Sequence, residues 1–169
     1  MKQKLGSFVI TGDKIHVSDP CYDYDFLGAI NLTNVLEGKY LAYITRLNMG
    51  KWGTRTAKLS IRHVDYPEVI PNIAFDWEVE VDSGQAGFFD DQYYKENQGG
   101  DFGDTTTLFG LACSLTLSKK HGGIIKDKGV VSETGFGDGC YSLYVGKNKA
   151  GKIVSASIIF IADEELEES

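Results

Sequence analysis

The sequence predicts a mainly β protein, an antiparallel β-sandwich or an open barrel with one or two short helices. Short apolar segments alternate with turn residues along the whole chain, and the 20 glycines greatly outnumber the 3 prolines. Only two segments favour a helix, and only one of these has clear helical spacing of its apolar side chains. Many short strands separated by frequent turns are typical of sandwiches and barrels.

The first predicted elements are a hairpin and a loop. Residues 7–10 and 15–18 have strand composition, and residues 11–14 between them have the composition of a tight turn. Pro20 ends the second strand because proline has no amide hydrogen for a ladder. The segment that follows is rich in aromatic and acidic residues, and we expect a loop with one helical turn over residues 32–36.

Two longer strands are predicted next, at residues 39–48 and 54–64, with residues 49–53 as their connection. Side chains alternate between the two faces of a strand. In the second strand the residues on the apolar face are Ala57, Leu59, Ile61 and His63, and those on the polar face are Lys58, Ser60 and Arg62.

Residues 73–82 have the clearest alternation in the chain. The side chains predicted to face the core are Phe75, Trp77, Val79 and Val81, and those predicted to face water are Asp76, Glu78, Glu80 and Asp82. One apolar and one polar face indicate an antiparallel strand with one side in solvent. Four carboxylates in a row exceed what solubility requires. We therefore predict an acidic face that contacts a partner and is formed by Asp76, Glu78 and Glu80.

The remainder predicts two helices followed by four strands. Residues 91–97 favour a short helix, and residues 105–117 favour a longer one with Asp104 as its cap. The last strands are predicted at residues 123–125, 129–132, 140–145 and 152–161, with a hairpin turn at residues 148–151. We expect residues 1–162 to form a single β-rich domain and residues 163–169 to form an acidic, disordered tail.

Composition and charge exclude several classes. No apolar run reaches the length of a membrane span, and the N-terminus leads into a strand rather than a signal segment. The odd number and wide spacing of Cys21, Cys113 and Cys140 fit no disulfide framework, which predicts a reducing, cytoplasmic location. The net charge of −7 argues against direct contact with nucleic acid. We expect no membrane partner and no cofactor.

Two arrangements of side chains in the sequence could support catalysis, and each has a simpler structural interpretation. Cys21 or Cys140 with His63 or His16 would supply a thiol nucleophile and a base, although a buried structural cysteine is the simpler interpretation.

A hard metal ion would need carboxylates from several loops, and Asp82, Asp90 and Asp138 lie beside glycine-rich turns. Turn aspartates more often bond to their own backbone, and no EF-hand spacing occurs. The presence of a metal therefore stays open, and no complete catalytic set is predicted.

Three glycine-rich motifs carry a family resemblance: VSDPCY at residues 17–22, VDSGQAGFFD at residues 81–90 and GFGDGCY at residues 135–141. In their order and in the Trp52-Gly53 turn, the chain resembles a bacterial and phage family known only as a domain of unknown function. The resemblance implies a compact β-rich domain and no catalytic activity. If the motifs meet at one end of the sheet, a common polar site is expected from Asp19, Asp82, Gln85, Asp90 and Asp138. The alternative is that these residues only form turns.

Three functions follow as hypotheses. The first is a non-enzymatic binding protein that engages a protein partner or a small ligand through the loop cluster at one end of the sandwich. The second is a hydrolase that uses a Cys/His pair or a metal. The third is an acidic inhibitor that presents its acidic face to a nucleic-acid-binding enzyme. A phage origin of the chain would favour this third hypothesis.

Overall fold

The computed structural model describes residues 1–162, so the predicted acidic tail, residues 163–169, lies outside the described residues. The described part contains twelve strands, two α-helices and one 3-10 turn at Gly50–Trp52. The strands are β1 (Lys2–Ile10), β2 (Ile15–Ser18), β3 (Ile30–Leu32), β4 (Gly38–Asn48), β5 (Thr54–His63), β6 (Ile73–Ala74), β7 (Val79–Val81), β8 (Gln85–Asp90), β9 (Gly122–Ile125), β10 (Gly129–Glu133), β11 (Gly139–Lys147) and β12 (Ile153–Ile159). The helices are α1 (Asp91–Asn97) and α2 (Leu108–Thr116).

Two antiparallel sheets face each other, which confirms the predicted fold class. The large sheet has the strand order β1-β4-β5-β12-β11-β6, and β7 also pairs with β11. The small sheet has the order β3-β2-β8-β10-β9. Side chains from both sheets meet in one core, where Phe8, Ile44 and Leu59 of the large sheet and Val17 and Phe88 of the small sheet are fully buried.

A third layer covers the other face of the small sheet. Phe89 and Val131 of this sheet pack in a second core with Tyr94 of α1 and with Leu108 and Ala112 of α2. Because β2 is thus covered on both faces, all four of its residues are buried. Among the described residues, neither helix is long and apolar enough to cross a membrane.

The predicted N-terminal hairpin is wrong in its pairing. β1 pairs with β4 of the large sheet, whereas β2 pairs with β3 and β8 of the small sheet. The turn between them carries the chain from one sheet to the other. Thr11 is fixed there because its N–H and its hydroxyl both donate to Asp90 Oδ2, each at 2.7 Å. The local turn was predicted, but the strand partners are non-local.

The predicted continuous strand at residues 73–82 is broken in its middle. Only β6 and β7 are regular, and the chain between them bends after Phe75, whose N–H donates to the Leu143 carbonyl at 2.8 Å. Val79 and Val81 face the core as predicted. Trp77 does not, since its side chain is 71% exposed.

The helix predictions succeed in part. Helix α1 has the predicted bounds, whereas α2 begins at Leu108 and is capped by Thr107, whose hydroxyl accepts from the Gly110 N–H at 3.2 Å. The predicted cap, Asp104, instead accepts from the hydroxyl of Thr106 at 2.6 Å. The helical turn expected at residues 32–36 is also wrong, because strand β3 ends at Leu32 and Val35 forms an isolated β-bridge with Ile153.

The different burial of two aromatic side chains gives a test of this fold. We expect Phe88→Ala to lower the free energy of unfolding by about 3–5 kcal/mol, because it leaves a cavity between the sheets. Trp77→Ala should change it by less than about 0.5 kcal/mol, because the ring is mostly in solvent. Urea denaturation of both variants measures this difference. Similar losses in the two variants would mean that the burial of residues 75–81 is misassigned.

Candidate functional site

The carboxylate of Asp19 is the centre of a turn cluster at one end of the sandwich. Its Oδ2 accepts from the backbone N–H groups of Asp82 at 2.8 Å and Ser83 at 2.6 Å. Its Oδ1 accepts from the Ser83 hydroxyl at 2.6 Å and from the Cys21 N–H at 2.8 Å. Four donors let the carboxylate be completely buried without a neighbouring cation. We call Asp19, Cys21, Asp82 and Ser83 the Asp19 turn cluster.

The local sequence explains this arrangement. Asp19 directly follows the last residue of β2, and Pro20 turns the chain away from the sheet. Opposite it, Gly84 has a φ of 71°, which lets residues 82–84 make a sharp turn between β7 and β8. The N–H groups in this turn therefore point at the Asp19 carboxylate.

Asp138 lies at the same end of the sandwich. The next residue, Gly139, is the register partner of Val81, which places Asp138 beside Asp82. The loop before it is closed because the hydroxyls of Thr134 and Tyr141 both donate to the Gly137 carbonyl, at 2.7 and 2.6 Å. The structure therefore brings Asp19, Asp82 and Asp138 together, and it leaves the side chains of Asp82 and Asp138 exposed.

Gln85 and Asp90 do not join this group, contrary to expectation. The buried Gln85 amide donates to Cys113 Sγ at 3.3 Å and accepts from the Thr116 hydroxyl at 2.8 Å, so it attaches α2 to the sheet. Asp90 lies at the opposite end of β8, where it anchors Thr11 and caps α1. Both side chains hold the helical layer in place.

The three metal ligands suggested by the sequence, Asp82, Asp90 and Asp138, do not lie together in the structure. Asp82 and Asp138 are at one end of the sandwich, whereas Asp90 is at the other end of β8. Within residues 1–162, no three His, Cys, Asp or Glu side chains are placed to share a metal ion. The exposed pair is therefore a negatively charged surface rather than a set of three converging ligands.

The thiols and His63 are placed unlike a catalytic pair. Burial and the Asp19 carboxylate raise the pKa of the Cys21 thiol to about 12, so the thiol stays protonated at neutral pH. The Nε2 of the buried His63 bonds to a backbone carbonyl at 2.9 Å, and its Nδ1 accepts from the Asp65 N–H at 3.1 Å. Cys140 is exposed on β11.

A cleft of about 320 Å³ lies at the edge of the sandwich, and its lining includes Glu80, two residues before Asp82 of the Asp19 turn cluster. One wall is the loop after β2 and the other is the chain from β6 to β7. Leu27 is 100% exposed on the first wall, and Trp77 is exposed on the second. No Lys or Arg is found among the described residues that line it. We call this feature the acidic cleft, with Leu27, Gly28, Phe75, Trp77, Glu78 and Glu80 as its defining residues.

The loop that forms the first wall is held by aromatic and backbone contacts. Tyr22 and Phe26 stack with their ring centroids 3.8 Å apart, and the Tyr94 hydroxyl of α1 donates to the Tyr22 carbonyl at 2.6 Å. Gly28 lets the second wall approach closely, since a Cβ at this position would lie 2.6 Å from Glu80 Oε2. The two walls are therefore in contact at the base of the cleft.

Negative charge is concentrated around this cleft. The predicted acidic residues Asp76, Glu78, Glu80 and Asp82 are all exposed, although the strand that was expected to align them is broken. Burial raises the pKa of Tyr22 to about 12, and the nearby Asp82 and Glu80 carboxylates act in the same direction. A basic ligand is the natural complement to such a surface.

His16 is buried under the helical layer, next to the loop of the first wall. Its ring stacks on Tyr24 and packs at a tilt against Tyr94, with centroids 4.9 and 4.1 Å away. Its Nδ1 bonds to Asn31 Oδ1 at 2.7 Å, and its buried Nε2 has no partner among residues 1–162. Burial lowers the pKa of His16, and Asn31 and Asp91 only partly oppose this effect.

The two apolar residues of the cleft were not predicted from the sequence. Leu27 had no predicted role, and Trp77 was predicted to face the core. One available signal was an isolated leucine in a loop that otherwise contains acidic and aromatic side chains. Another was the proximity of Trp77 to the prolines of the preceding loop, which disfavour a long regular strand.

Removing the charge of Asp19 should destabilise the protein. Asp19→Asn keeps the side-chain size but places an NH₂ group against N–H or O–H donors, and we expect a loss of about 2–4 kcal/mol in the free energy of unfolding. Asp82→Asn is the matched control, because only the backbone of Asp82 binds Asp19 and its side chain is exposed. Urea denaturation gives both values. Equal stability of Asp19→Asn and the parent would contradict the described hydrogen bonds.

The lowered pKa of His16 predicts a loss of stability in acid. The unfolded chain binds a proton at this histidine near pH 6.5, whereas the folded protein binds it only at lower pH, so stability decreases as the pH falls below about 6.5. Melting temperatures between about pH 7.5 and 5.5 measure the decrease. His16→Gln should show a smaller decrease than the parent. An equal decrease in both would assign the effect to other groups.

Comparisons with known proteins do not extend these observations. No protein-family model, curated protein or solved structure matches the chain. The family resemblance of the three glycine-rich motifs therefore stays a prediction, and the function must be inferred from the geometry of the chain's own residues.

Proposed function

We propose that this chain is a non-enzymatic binding protein that engages a segment of a protein partner through the acidic cleft. The observation that carries the proposal is the exposure of Leu27 and Trp77 on opposite walls of a cleft that also presents Glu78 and Glu80. Large apolar side chains exposed together and rimmed by polar groups are typical of interaction sites. Tryptophan is also among the residues that contribute most to binding energy at interfaces.

The partner's chemistry follows from the lining of the cleft. An apolar side chain of the partner would pack between Leu27 and Trp77, and flanking Lys or Arg residues would lie against Glu78 and Glu80. Complementary charge speeds association and disfavours acidic partners. A basic partner is also what the acidic-inhibitor hypothesis requires, so one experiment tests both.

Binding is favoured over hydrolysis by the state of the groups that hydrolysis would use. The protonated Cys21 thiol is a poor nucleophile, and both ring nitrogens of His63 already form hydrogen bonds within the fold. The Asp19 carboxylate is likewise occupied by four donors. These groups hold the fold together, whereas Leu27, Trp77, Glu78 and Glu80 of the cleft are exposed.

Tryptophan fluorescence can test the proposal directly. The chain has two tryptophans, and Trp52→Phe leaves Trp77 as the single reporter in the cleft. We expect a synthetic peptide of alternating Leu and Lys to shift the Trp77 emission to shorter wavelength, because its leucines bury the ring. A peptide with Glu in place of Lys should bind much more weakly.

Matched variants locate the binding. Glu78→Gln with Glu80→Gln should weaken the Leu/Lys peptide about 5–30-fold, if each exposed charge contributes about 0.5–1 kcal/mol. Asp101→Asn with Asp127→Asn removes the same charge from exposed sites outside the cleft and should change little. Equal weakening by both pairs, or equal binding of the Lys and Glu peptides, would refute a site in the cleft.

A further inference from the structure

A second charged surface lies on the outer face of the large sheet. Lys58, Ser60 and Arg62 point outward from β5, near the middle of this sheet, and the Tyr43 ring lies beside them on β4. Lys2 Nζ of β1 is 4.5 Å from the centroid of the Tyr43 ring, and the Arg62 guanidinium carbon is 5.5 Å from it. We call the cavity lined by Lys2, Tyr43, Ser60 and Arg62 the basic groove, which encloses about 100 Å³.

The cations of the basic groove are crowded. Lys58, two residues before Ser60 on the same face of β5, lies outside the lining of the groove, and burial together with the Lys2 charge lowers the pKa of Lys58 to about 8. Burial and the Arg62 charge likewise lower the pKa of Lys2. Glu68 is the acidic residue that lines the groove, yet within residues 1–162 neither Lys2 nor Arg62 forms an ion pair. An anion between these cations would relieve their mutual repulsion.

The donors of the basic groove suit an oxyanion. The Nε of Arg62 is buried and has no hydrogen-bond partner among the described residues, while its Nη2 donates to the Tyr43 hydroxyl at 3.3 Å. Ser60, Ser155 and Ser157 add hydroxyl groups to the lining. Guanidinium, ammonium and hydroxyl donors together recognise carboxylate and phosphate groups. We propose that the basic groove is an anion-binding site for a carboxylate or phosphate group, separate from the acidic cleft.

Two sources could supply this chemistry. One is the chain itself, because five carboxylates occur in residues 163–168, shortly after Ile161. The Ile161 N–H donates to the carbonyl of Ala57 at 3.2 Å, next to Lys58, and six extended residues span about 20 Å. The other source is an external phosphate or carboxylate ligand.

Inorganic phosphate is the probe, and it is titrated at constant ionic strength. Backbone amide NMR signals of Lys58, Ser60 and Arg62 are followed in the full chain and in a full-length variant with Asp163→Asn, Glu164→Gln, Glu165→Gln, Glu167→Gln and Glu168→Gln. We expect saturable shifts at these amides. If the five-substitution variant binds phosphate at least about threefold tighter than the parent chain, the chain's own carboxylates compete for the groove. Equal affinity of the two chains identifies an external anion as the ligand.

Charge-removing variants decide whether the site is real. Lys2→Met, at the exposed start of β1, should weaken phosphate about tenfold, whereas Lys149→Met, in the exposed turn between β11 and β12, should not change its affinity. Arg62→Met is a second test of the same site, because the Arg62 side chain also lines the groove. The proposal is overturned if no saturable shift occurs in either chain, or if Lys149→Met weakens phosphate as much as the groove variants do.

Discussion

The burial of the Asp19 carboxylate is the constraint on which this end of the molecule depends. A charged group without a cation must be surrounded by donors, and those donors come from two chain segments that are distant in sequence. Strand β2 and strand β8 belong to the small sheet, whereas β7 pairs with β11 of the large sheet. The carboxylate therefore ties together the two sheets, and the segments that it joins continue into the two walls of the acidic cleft.

Local patterns predicted the elements whose form depends on near neighbours. The alternation of β5, the bounds of α1 and the turn at residues 148–151 all follow from period, capping and turn composition. The pairing of β1 with β4 could not be predicted in this way, because the turn at Thr11 is held by Asp90 from the far side of the sequence. The break before Trp77 likewise depends on the non-local contact of Phe75 with Leu143.

The candidate sites were likewise predictable only where local sequence determines them. Glycine-rich turns indicated where Asp19, Asp82 and Asp138 meet, yet the donors that satisfy Asp19 became visible only in the structure. The isolated position of Leu27 in its loop was a local signal, but its complete exposure depends on how that loop packs in the folded chain. Lys58 and Arg62 were predicted to share a face of β5, but the presence of Lys2 beside them depends on the order of three strands in the sheet.

In the Asp19 turn cluster, the backbone groups that maintain the fold are distinct from the side chains that face solvent. Three of the four bonds to Asp19 come from backbone N–H groups, and Tyr94 likewise holds the following loop through a backbone carbonyl. Backbone groups are present whatever side chain a position carries. The walls of the cleft can therefore accept new side chains at positions such as Leu27 and Trp77 while their path stays unchanged. An evolving or engineered lineage could change the surface chemistry there without rebuilding the scaffold.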